Sequence, residues 1–155
     1  MAFGAAGEFG DRTILVAVHT SVAPSEAEWS SWVALLDEHG KRVAEDLWRM
    51  PNLVITDGGA PSTAQRTVVN MLIAQGKTMP PVAVVTDSLV VRTLLRAFSV
   101  FNPRMRGFAP GAFAGAVSHL GLPASEARSL VQACKQLELE IGRGAVKTIA
   151  ALPNV

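Results

Sequence analysis

A single cysteine, Cys134, in a chain of 155 residues excludes an internal disulfide framework, and tyrosine is absent altogether. Charged residues make up only 17% and the formal net charge is +1, which removes the electrostatic case for nucleic acid or an anionic membrane as the main partner. No apolar run approaches the roughly 20 residues that span a bilayer, so no membrane insertion is expected. The three histidines lie too far apart for metal-ligand spacing. There is no Gly-x-Ser-x-Gly elbow, P-loop or GxGxxG fingerprint. No catalytic residue, metal or cofactor is therefore expected. Residues 1–11 are rich in glycine and alanine and lack the basic start and apolar stretch of a signal peptide, which reads as a flexible leader. These absences leave a cytoplasmic globular domain, long enough to bury its own core.

What is present is a phrase used twice. Val54-Ile55-Thr56-Asp57 and Val84-Val85-Thr86-Asp87 are β-branched runs that end in Thr-Asp, each followed by a helix-start signal. A strand that hands over to a helix is the unit of an open α/β sheet, and ligands of such sheets gather where strands end. Thr13 through Val18 is an earlier strand, and the capping box Ser25/Glu28 opens a helix with Trp29, Trp32, Val33 and Leu36 on one face. Gly40 reads as its stop. A second capping box, Ser62/Gln65, opens a helix whose buried stripe is expected at Ala64, Val68, Met71 and Leu72. Asp87 or Ser88 caps a third helix carrying Val91, Leu94, Leu95, Phe98 and Phe101. Residues 105–109 form a shorter strand, and Pro110 opens a helix with Phe113, Ala116, Val117 and Leu120. The expectation is one α/β sandwich of roughly four or five mostly parallel strands flanked by about five helices. Its main unit covers 12–122, with a C-terminal amphipathic helix at 123–141 and a tail at 142–155.

The strand ends bring His19, Thr56-Asp57 and Thr86-Asp87-Ser88 to a common polar rim, a candidate ligand or partner site. The simpler reading is that these residues only cap helices and end strands. Within the rim, Asp57-Gly58-Gly59-Ala60-Pro61-Ser62-Thr63 stands out. A glycine-rich turn entering a helix N-terminus suits a phosphate, and Ser62 or Thr63 is a candidate for phosphorylation. The last helix places Leu130, Cys134, Leu137 and Ile141 at heptad spacing. That stripe suits packing on the parent sheet, with a homodimer through the same helix as the alternative.

The segments Leu53 through Pro61 and Ala83 through Ser88, with Phe101-Asn102-Pro103 beyond, resemble those of small bacterial STAS/SpoIIAA-like proteins. The resemblance covers about residues 12–122. It implies a domain that acts without catalysis, as the partner of a kinase, a sigma-factor regulator or a transporter, or as a sensory module. In the anti-sigma antagonist branch a Ser or Thr at the start of the helix after a central strand is phosphorylated, and Ser62 or Thr63 stands nearest. This chain departs from that branch's Asp-Ser-x-Gly-like turn. Asp57 and Thr86 also resemble the phosphoacceptor and switch hydroxyl of a receiver domain, but the acidic metal-binding residues and the lysine of receivers are missing. The resulting expectation is a regulatory, protein-interacting domain that uses Asp57, Gly58, Gly59, Ser62, Thr63, Asp87 and Ser88. The alternatives are a small-ligand or nucleotide-binding domain on the same rim, a degenerate receiver, and a self-assembling structural protein.

Overall fold

A computed structural model describes every residue except Glu45, Lys77, Phe101 and Val155, and the side chain of Phe98 is also left undescribed. The expected inward positions of Phe98 and Phe101 therefore lie outside the described residues.

Strand β1 (Ala2–Phe9) pairs antiparallel with β2 (Arg12–His19), and β3 (Asn52–Thr56), β4 (Val82–Val85) and β5 (Met105–Phe108) follow in parallel. The five strands lie in chain order. Residues 1–11 are thus an edge strand and not a flexible leader. Gly10, at φ 66°, supplies the positive φ of a two-residue hairpin between the paired Phe9 and Arg12. The small side chains that make this segment look like a leader are what its position requires. Gly4 lies under Leu137, and Phe3 meets Trp32 edge-on at 5.5 Å between ring centroids.

Consecutive right-handed crossovers in unreversed order return each helix to the same face. On that face lie α1 (Glu26–Arg42), α2 (Thr63–Ala74) and α3 (Leu89–Phe98). The core there joins Leu15 and Ala17 of β2 to Trp32, Leu36, Val43 and Leu47. The chain then crosses to the other face, which holds α4 (Phe113–His119), α5 (Ala127–Ile141) and α6 (Lys147–Ala150). Alternate residues of β2 to β4, among them Val16, Ile55 and Val85, meet Phe113, Val117, Leu130 and Cys134 in the larger core.

Two expectations need correction, and the tail at 142–155, for which the sequence offers no placement, finds one. Gly40 does not end α1: it is buried inside the helix, with Leu47 Cδ2 packed 3.4 Å from where a Cβ would stand. On α2, Val68 and Met71 are 48% and 62% exposed and Ala64 is exposed, while Gln65, Val69, Leu72 and Ile73 face inward. The tail is part of the fold, since Val146, Ile149 and Leu152 belong to the larger core. One core accordingly joins residues expected in three separate segments.

Candidate functional site

The twin Thr-Asp phrases do the same thing locally. The Thr56 hydroxyl accepts the Gly58 N–H at 2.9 Å, and the Thr86 hydroxyl accepts the Ser88 N–H at 3.2 Å. Beyond that turn they part. The two carboxylate oxygens of Asp57 accept the backbone N–H groups of Lys147 and Thr148, each at 2.8 Å, and so cap α6. Thr148 is fully buried between the phrases: its hydroxyl donates to the Thr56 carbonyl at 3.0 Å and accepts the Asp87 N–H at 3.4 Å. Asp87 itself is exposed.

The chain's own C-terminal segment therefore seats on the rim that the sequence marks as a ligand site. The glycine turn is also spoken for. The N–H groups of Asp57 and Gly59 donate to the carbonyls of His19 and Thr20, at 3.3 and 3.1 Å. A Cβ on Gly59 would lie 2.3 Å from the Val22 carbonyl oxygen, so glycine is required by close approach, and Gly58 adopts φ 117°. The expected phosphate cradle needs correction at its glycine turn: the N–H groups of Asp57, Gly58 and Gly59 are all taken up by the protein itself. A receiver-like phosphoacceptor needs an open carboxylate, and Asp57 has none to offer. Nor does the sheet present a crevice of the usual kind, because its parallel strands run in chain order and no reversal separates neighbouring crossovers.

His19 closes the inner side of the rim. It is buried, with Nδ1 at 3.2 Å from the Thr56 hydroxyl, and burial pushes its pKa below the usual histidine value. Since the Thr56 oxygen already accepts from Gly58, its proton is free to point at Nδ1, which suits a neutral ring.

Ser62 is the N-cap of α2: its hydroxyl accepts the Gln65 N–H at 3.2 Å, and Gln65 returns its side-chain oxygen to the Ser62 N–H at 2.8 Å. Gln65 also donates to the Pro24 carbonyl and to Glu26, which ties the cap to α1. Ser62 and Thr63 are exposed. Arg66 reaches back to this corner, donating to the Pro61 carbonyl at 2.8 Å and to the Thr63 hydroxyl at 3.0 Å. Ser88 caps α3 by accepting the Val91 N–H at 3.3 Å. The loop before α1, the Gly58-Gly59 turn and the start of α3 adjoin: Val22 lies against Gly59, and Val91 against Gly58.

Around this corner the surface is apolar to a degree the sequence reading missed. Val22, Leu89 and Val90 are 72%, 69% and 70% exposed, and Leu94 follows one turn along α3 at 55%. A signal existed. Leu89, Val90, Val91, Leu94 and Leu95 spread over more of the helix than one contact with a sheet can cover.

The heptad stripe of α5 gives the opposite result. Leu130 and Cys134 are wholly buried, and Leu137 and Ile141 pack on the same core. The stripe faces its own sheet, as the first of the two expectations had it, with Leu130 and Cys134 wholly enclosed and Leu137 and Ile141 half-buried. Burial pushes the Cys134 thiol up to about 12, consistent with an inert core cysteine.

Two open grooves lie outside the Gly58-Gly59 turn. One, of about 660 Å³, runs beside Phe9, Arg12, Trp48 and Leu122. There the guanidinium groups of Arg12 and Arg104 stack on the Trp48 indole at 4.7 and 4.6 Å, a clamp between β2, the turn before β3 and the start of β5. The other, about 510 Å³, separates α5 from α6. Among the described residues no group of three acidic, histidine or cysteine side chains is placed to hold a metal ion. No described helix is long and apolar enough to cross a membrane. Comparison of the chain with protein-family models, with curated proteins and with solved structures finds no match.

Proposed function

We propose that this chain is a non-enzymatic regulatory domain of the cytoplasm, SpoIIAA/STAS-like, that binds another protein at the corner where α2 and α3 begin. The observation that carries this reading is the exposure of Val22, Leu89 and Val90 beside the exposed hydroxyls of Ser62 and Thr63. Scattered aliphatic residues at a surface are ordinary, whereas several at one corner mark recognition. The element order supports the likeness: a strand, a tryptophan-bearing helix, then a strand whose turn leads to a helix-capping hydroxyl. A small ligand that uses the Asp57 carboxylate, by contrast, would have to displace α6.

The same corner suits a phosphorylation switch. A phosphoryl group on Ser62 or Thr63 would sit at the N-terminus of α2, within reach of Arg66, and would add close to two negative charges beside the apolar side chains. Ser62→Asp and Thr63→Asp are expected to weaken capture of the partner from native lysate while the thermal midpoint stays near that of the wild type. Capture unchanged in both variants removes the switch. Absence of any recurrent partner of the wild type removes the interaction reading itself.

A further inference from the structure

We propose that the occupant of the α2–α3 surface is an acidic amphipathic helix of another protein. The inference rests on the interaction reading above and adds the chemistry of the partner. Charge along the chain is divided sharply. Residues 58–125 carry Arg66, Lys77, Arg92, Arg96, Arg104 and Arg106 against one acid, Asp87, whereas residues 1–57 carry nine acids against four bases. Neither α2 nor α3 contains an acidic residue. Arg66 and Arg96 are exposed and form no ion pair with a described residue. On the same helices Val68 and Met71 of α2 and Leu89, Val90 and Leu94 of α3 are exposed. Methionine and arginine beside aliphatic side chains is a composition that suits a protein interface.

Charge also decides among occupants. A second copy docked on this surface through a two-fold axis would bring arginine against arginine. An anionic bilayer would attract α2 and α3 but meet α1 on the same face, whose Glu26 and Glu38 are exposed. A single helix is narrow enough to lie along α2 and α3 without facing α1. Its apolar residues at i, i+3, i+4 and i+7 would meet the exposed aliphatics, and its glutamates and aspartates the arginines.

The test uses the whole chain and two labelled synthetic helices with the same leucine stripe, one with a glutamate-rich and one with a lysine-rich polar face, read by fluorescence anisotropy. Phosphatidylcholine vesicles with and without phosphatidylserine are assayed in parallel by sedimentation. The glutamate helix is expected to bind at least about tenfold tighter than the lysine helix and to weaken with salt, and Leu94→Ser to cost about tenfold with no change in thermal midpoint. Equal affinity for the two helices, an unchanged affinity in Leu94→Ser, or sedimentation with phosphatidylserine vesicles in place of peptide binding overturns the proposal. The interaction reading fails separately. A lysate partner displaced by the glutamate helix supports both, and one that the helix leaves bound overturns only the acidic-helix assignment. Absence of both a partner and peptide binding overturns the two together.

Discussion

The two faces of the sheet are built from the same strands and finished differently. On one, α4, α5 and α6 close over β2 to β4 with Phe113, Leu130 and Cys134 fully buried. On the other, α2 and α3 bury part of their apolar surface and leave Val68, Met71, Leu89, Val90 and Leu94 in solvent. The first face has the form of a finished core. The second leaves apolar side chains in solvent, and its helices carry Arg66 and Arg96, which form no ion pair with a described residue. The recognition surface proposed above lies on the side whose helices leave apolar side chains exposed, although that side has a buried core of its own.

The sharpest way to break that comparison is to cut into the sealed face. Phe113→Ala leaves a cavity beneath α4 at a fully buried position and is expected to lower unfolding stability by about 3–5 kcal/mol, measured by urea denaturation. A smaller effect is expected where α6 is pinned. Asp57→Ala strips the acceptor from two backbone N–H groups and should cost about 1–3 kcal/mol, with faster amide exchange confined to residues 145–152. Asp57→Asn keeps one acceptor oxygen and should lose less.

Next comes pH. Burial depresses the His19 pKa, and that of His39 is also lowered, chiefly by burial. Below the unfolded value of about 6.5 the unfolded chain therefore takes up protons that the folded chain resists. Stability should be fully present above that pH and decline as pH falls from about 6.5 toward 5, and His19→Gln should flatten the slope. An unchanged slope in that variant would place the titration elsewhere. The smallest effect on stability belongs to the open face: Leu94→Ser should shift it by no more than about 0.5 kcal/mol, because the side chain is already 55% exposed. A large loss there would mean that α3 is core like the rest.

The strands and caps were legible in the sequence because they are local. Both capping boxes, Ser25/Glu28 and Ser62/Gln65, form as their spacing implies, and the mixed, mostly parallel sheet follows from alternating strand and helix periods. The losses are tertiary. Nothing within Asp57-Gly58-Gly59 says that its donors will be met by the loop after β2 and its carboxylate by a helix 90 residues away. The glycine-rich first strand has low strand propensity, and only its partner strand and Leu137 make it one. The hairpin glycine at position 10 was the available clue. On α2, period alone could not say which of two apolar stripes turns inward. Val69, Leu72 and Ile73 do, which leaves Val68 and Met71 for the surface.

The most direct test of the interaction face is affinity capture from native lysate with the wild type and Leu94→Ser side by side, at matched folded concentration. The expected result is a recurrent protein partner whose recovery falls about tenfold in the variant. Equal recovery by both proteins, or no partner for either, would contradict the assignment of recognition to α2 and α3.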